Sequence, residues 1–161
     1  MNFVALSNIF SPELATIIIA MLPITELRGS IPIAISVYKL DPLLAYCLSV
    51  VGSIIPAFFI LEILGPLSGY LIERFAWAKV FFSWLFANTK NKFSHKYTKW
   101  GGLALVIFVA IPLPATGVWS GAVAAFLFGI PKKLSLALLF IGSAIAGLIV
   151  TLATLGIISL F

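Results

Sequence analysis

Two opposite charges, Glu26 and Arg28, stand two residues apart in the largely apolar stretch MLPITELRGSIPIAISVYKLDP (21–42), bracketed by Pro23 and Pro42. An arginine presents a fixed fork of donors that matches a phosphate or carboxylate. Burial and the neighbouring cation act in opposite senses on the proton affinity of Glu26, and a carboxyl so balanced can take up and release a proton. A second stretch, PLPATGVWSG (112–121), supplies Thr116, Gly117, Trp119 and Ser120: hydroxyls, an aromatic wall and room for close backbone approach. Together with Gly29 and Ser30 these residues describe a pocket for an anion and a proton. The alternative is a closed Glu26/Arg28 ion pair that only ties broken helices together. Other chemistry has little to stand on. Cys47 and His95 are each the sole residue of their kind, so no disulfide and no zinc constellation is expected. Cys47 is read as packing and His95 as part of a solvated basic stretch. No nucleophile and base set and no Gly-rich phosphate loop is present, which argues against an enzyme and against a cofactor.

The elements that would position these charges follow from composition. With 62% hydrophobic and 9% charged residues over 161 positions and a mean hydropathy of +1.20, the chain has more apolar surface than one soluble core can bury. An all-α integral membrane protein is expected. Residues 43–64 and 133–158 each offer the roughly 20 apolar residues that a helix needs to cross a bilayer core of about 30 Å. Glu26 and Arg28 would then lie near mid-membrane, where an ionisable group costs about 2.5–3.5 kcal/mol and is kept only if paired or wet. The N-terminus has no basic region and no A-x-A-like site, so no cleaved signal peptide is expected.

The chain reads as a frame written twice. Pro42 follows Pro23 by 19 residues, and Pro131 follows Pro112 by the same 19. Each copy has a short apolar run (14–22; 102–111), a break, a second short run (33–40; 122–130) and a proline that opens a full span. Gly52-Ser53 and Gly142-Ser143 sit comparably in the two spans. This predicts two inverted repeats, 12–64 and 101–161, each a re-entrant helical hairpin plus one transmembrane helix. Half-helix N-termini near Ile33 and Ala122 would point partial positive charge at the breaks. The linker 65–100 mixes aromatics (Tyr70, Phe75, Trp77, Phe81, Phe82, Trp84, Phe86, Trp100) with Lys and Arg. It is read as an amphipathic interfacial helix and a basic loop on anionic lipid, and a membrane surface explains its bases better than nucleic acid.

Each short-break-short unit could cross as one kinked helix, which would put Lys132 and Lys133 on the other face and weaken the basic asymmetry to six against three. Re-entrant hairpins instead place Arg74, Lys79, Lys90, Lys92, Lys96, Lys99, Lys132 and Lys133 on one face and Lys39 on the other. The positive-inside tendency then puts the linker in the cytoplasm and both termini outside, in a cell (inner) membrane. Ser11-Pro12-Glu13 reads as a helix start, Asp41 as a cap before Pro42, Pro56 as a kink, and Glu62 as an interfacial charge near Arg74 or Lys79. A homodimer is expected, because so thin a bundle could hardly seal a pocket alone.

At ELRGSIP (26–32) and PLPATGVWSGA (112–122) the sequence resembles the small multidrug export proteins of prokaryotes, a branch of the DedA/VTT membrane superfamily. Ala115 stands where that family usually has Gly. The resemblance implies two inverted re-entrant hairpins meeting at mid-membrane and, from the DedA relatives, proton-linked movement of lipids or polyprenyl-phosphate carriers, with Glu26 and Arg28 as the carried-over charges. The expected function is a proton-coupled transporter or flippase for an anionic lipid headgroup. Small-cation multidrug efflux is the alternative, and a non-transporting membrane organiser a second one.

Overall fold

The computed structural model describes residues 10–76, 80, 95–112 and 116–159, and for 95–100 the helical backbone only. All regular structure among the described residues is helical: α1 (Pro12–Met21), α2 (Glu26–Ser36), α3 (Pro42–Arg74), α4 (His95–Ala110), α5 (Val118–Leu127) and α6 (Lys132–Ile158).

The starts of α1 and α3 follow from their caps. Pro12 and Pro42 occupy the first helical turn, where a missing N–H costs nothing. The Ser11 hydroxyl accepts from Leu14 N–H at 3.4 Å, and Asp41 Oδ1 accepts from the N–H groups of Leu43 and Leu44 at 2.9 and 3.2 Å. Two helices, α3 and α6, are long and apolar enough to cross a membrane. α3 runs ten residues beyond the expected end at 64, so the start of the presumed interfacial segment is the last turns of this helix. His95 likewise opens α4 rather than lying in a loop. The linker residues Trp77, Lys79, Phe81, Phe82, Trp84, Phe86, Lys90 and Lys92, and the side chains of Lys96, Lys99 and Trp100, lie outside what is described.

α3 and α6 are antiparallel neighbours. As the chain ascends from Tyr46 through Ser53 to Glu62 on α3, its partners descend on α6. The Tyr46 hydroxyl donates to the Ala144 carbonyl at 3.2 Å, the Ser53 and Ser143 hydroxyls bond at 2.7 Å, and Glu62 pairs with Lys132 at 2.9 Å. Glu62 is thus paired across to α6 rather than along its own helix to Arg74, and Lys79 lies outside the described residues. The small residues let the backbones approach closely. A Cβ on Gly52 would come within 2.8 Å of the Ile17 carbonyl and 2.9 Å of the Ala20 methyl, and one on Gly142 within 3.0 Å of the Val106 carbonyl and 2.8 Å of Val109. Gly52 therefore receives α1 as Gly142 receives α4.

The same exchange holds for the main helix contacts. α1 packs on α2 and α3 as α4 packs on α5 and α6; α2 packs on α3 and α6 as α5 packs on α6 and α3. The two cores correspond as well. Leu27, Ile31 and Ala34 of α2 pack with Ala45 and Ala146, while Val118, Ala122 and Ala125 of α5, identically spaced, pack with Leu139 and Ala57. A left-handed residue follows each second helix, Lys39 at φ 55° three residues past the end of α2 and Gly129 at φ 66° two residues past the end of α5. Cys47, expected to pack, is exposed on α3 instead.

Candidate functional site

The first break is shorter than the run of prolines and small residues suggests. It covers only 22–25, and α2 continues through Pro32, where burial of Ile31, Ala34 and Ile35 holds the helix despite the lost N–H. The half-helix N-termini consequently lie at Glu26 and Val118, not near Ile33 and Ala122. Glu26 and Arg28 occupy the first turn of α2; Trp119 and Ser120 occupy the first turn of α5.

The breaks meet. Aligned on their threonines, TELRGSI and TGVWSGA pair Thr25 with Thr116, Glu26 with Gly117 and Arg28 with Trp119. Each threonine hydroxyl folds back on the helix before it, Thr25 donating to the Ile19 carbonyl at 2.7 Å and Thr116 to the Ile111 carbonyl at 2.8 Å. Each long donor crosses to the other break. The Arg28 guanidinium donates to the Thr116 carbonyl, and to its hydroxyl at 3.2 Å, while the Trp119 indole N–H donates to the Met21 carbonyl at 3.2 Å.

Glu26 against Gly117 breaks the correspondence at the centre. The Glu26 carboxylate, 5% exposed, accepts the Val118 N–H at 2.5 Å and so caps α5 from another helix. Its place is the space above Gly117, where an added Cβ would overlap both carboxylate oxygens. Arg28 stands 4.0 Å from the same carboxylate. Glu26 holds this position at φ 48°, a left-handed conformation that costs a residue with a Cβ on the order of 1–3 kcal/mol and concentrates at functional sites.

The other sequence-predicted residues serve the frame. Gly29 leaves room for Thr25, whose side chain would lie 2.9 Å from a Cβ there. Ser30 turns to α3 and donates to Ser49 at 2.8 Å, both fully buried. Ser120 closes its own turn, accepting the Gly117 N–H at 3.0 Å. The structure thus brings Glu26, Arg28, Thr116, Gly117 and Trp119 together, and turns Ser30 away to α3. Thr25, Met21 and Ser49 were not anticipated. Matching the copies on threonine rather than proline reveals Thr25; the backbone role of Met21 and the pairing of Ser49 leave no trace in residue type.

The arrangement is a positive helix end and a guanidinium around one buried carboxylate. Residues 26–149, from that carboxylate into the last turns of α6, match the family described as "Putative small multi-drug export protein". No curated protein and no solved structure matches the chain.

Proposed function

The chain belongs to the small multidrug export protein family, a family of membrane export proteins, and we propose that it is a proton-coupled transporter or flippase for an anionic lipid or polyprenyl-phosphate headgroup. One observation carries this reading: a carboxylate already rests on the Val118 N–H beside Arg28. A place that stabilises one oxyanion by a helix N-terminus and a guanidinium suits another. In this reading Arg28 holds the substrate's anionic oxygen, Glu26 carries the proton, Thr116, Gly117 and Trp119 line the site, and Gly29, Ser120 and, through its bond to Ser49, Ser30 hold the frame around it.

The architecture we propose with it is two inverted repeats, 12–64 and 101–161, joined by a cytoplasmic linker 65–100 in a cell membrane, with kinship to the DedA/VTT proteins. The exchanged packing and the antiparallel α3 and α6 support inversion. Two inverted halves joined by a linker that stays on one face require α1 and α2 to enter and leave on the same side. Their ten and eleven residues reach about 15–17 Å, half of a bilayer core.

A second reading, export of small cations, is favoured by the family's description and by an apolar groove of Val51, Ile54, Phe58, Phe59 and Phe140 that suits an aromatic drug. Reconstitution separates the two. Flipping of labelled phospholipid and polyprenyl phosphate in proteoliposomes should fall at least tenfold in both Arg28→Ala and Glu26→Gln. Undiminished flipping in both variants ends the lipid assignment, and dye export lost in Glu26→Gln but kept in Arg28→Ala selects the cation reading.

A further inference from the structure

We propose that Glu26 is a tethered competitor of the transported anion, so that each anion bound at the breaks requires one proton on Glu26. This rests on the reading of the breaks as an anion site and adds how that site is regulated. The ionised carboxylate occupies a backbone donor at the start of α5, the Val118 N–H. The carboxylate is buried against Gly117, where an added Cβ would overlap both its oxygens. A second oxyanion on the same donor would have to displace it, and two negative charges side by side in so dry a place repel strongly. Substrate and ionised Glu26 therefore exclude one another. A proton on Glu26 removes its charge, weakens its hold on the Val118 N–H and frees that donor for the substrate oxygen, with Arg28 4.0 Å away to share it.

No other described group competes for the role. Arg28 is the charged group facing Glu26. The charged residues of the helices around it stand away from it in sequence: Glu13 at the start of α1; Glu62, Glu73 and Arg74 in the second half of α3; Lys132 and Lys133 at the start of α6. α5 carries none, and Tyr46 of α3 gives its hydroxyl proton to the Ala144 carbonyl.

The test is equilibrium binding to the full chain in lipid nanodiscs, with n-hexanesulfonate as an anion that does not itself titrate and n-hexyltrimethylammonium as the matching cation. Sulfonate affinity should weaken about tenfold for each pH unit above the midpoint of Glu26, the slope of one linked proton. Calorimetry above that midpoint, in buffers of different ionisation enthalpy, should count close to one proton taken up per sulfonate, falling to none below it, which needs no variant. Glu26→Gln should bind sulfonate with the slope abolished. Sulfonate binding that depends on Arg28 yet ignores pH and takes up no proton overturns the competitor and leaves the anion site standing. Sulfonate binding that is absent, or unchanged in Arg28→Ala, overturns the site and the competitor together, as does cation binding that strengthens with pH and is lost in Glu26→Gln.

Discussion

Glu26 and Gly117 hold matching positions in the two halves, and the carboxylate of one fills the space left by the missing side chain of the other. Two carboxylates there would repel, and two glycines would leave the Val118 N–H without this partner. One of each gives a single acidic group where two otherwise corresponding breaks meet.

Gly117→Ala should therefore push the carboxylate off Val118. Transport should fall at least tenfold, and the protein should lose about 1–3 kcal/mol, the usual cost of forcing a methyl into a filled space. Exchanging the two, Glu26→Gly with Gly117→Glu, should recover part of the transport that either single change abolishes. Proteoliposome flux and thermal unfolding in detergent read both outcomes, and a fully active Gly117→Ala protein would contradict the placement.

Gly52 and Gly142 carry equal burdens. Alanine at either should cost about 1–3 kcal/mol, because a backbone carbonyl and a side chain of the adjoining short helix stand in the way. Gly65→Ala and Gly69→Ala on the same α3, where an added Cβ meets nothing within 4 Å, should be neutral or mildly stabilising. The four unfolding midpoints measured side by side decide the matter; equal losses at all four would refute the packing.

Lys39 at φ 55° and Gly129 at φ 66° each hold a left-handed position just past the second helix of their half. Lys39→Gly should stabilise the protein by about 1 kcal/mol and Gly129→Ala should destabilise it by about as much, since a Cβ in the left-handed region costs roughly 1–2 kcal/mol. Denaturant midpoints test the pair, and a destabilised Lys39→Gly variant would argue against the turn.

Much of this was legible in advance. Charge scarcity and the two apolar spans fix a helical membrane protein, and Ser11, Pro12, Asp41 and Pro42 announce their helix starts through capping chemistry that is local. The paired prolines point to the two breaks, but the breaks correspond on Thr25 and Thr116, two residues out of the proline register. The start of α2 was misjudged because Pro32 reads as a breaker, whereas the burial of its neighbours, a tertiary effect, carries the helix across it. Exposure of Cys47 and the Glu62–Lys132 pair depend on how α3 and α6 rotate against each other, which composition does not encode. The capping of α5 by Glu26 spans 92 residues of sequence and is invisible to any local rule.

Single cysteines at Lys39 and Lys132, placed in a Cys47→Ala background because Cys47 is itself exposed, test the membrane arrangement. Impermeant maleimide added to oriented vesicles should label the two positions from opposite faces. Labelling from the same face would replace the hairpins by kinked crossings.

The serine pair at the crossing of α3 and α6 lies between two glycines that each clasp a short helix. Any slip of one long helix along the other must carry α1 with the first and α4 with the second, in opposing senses.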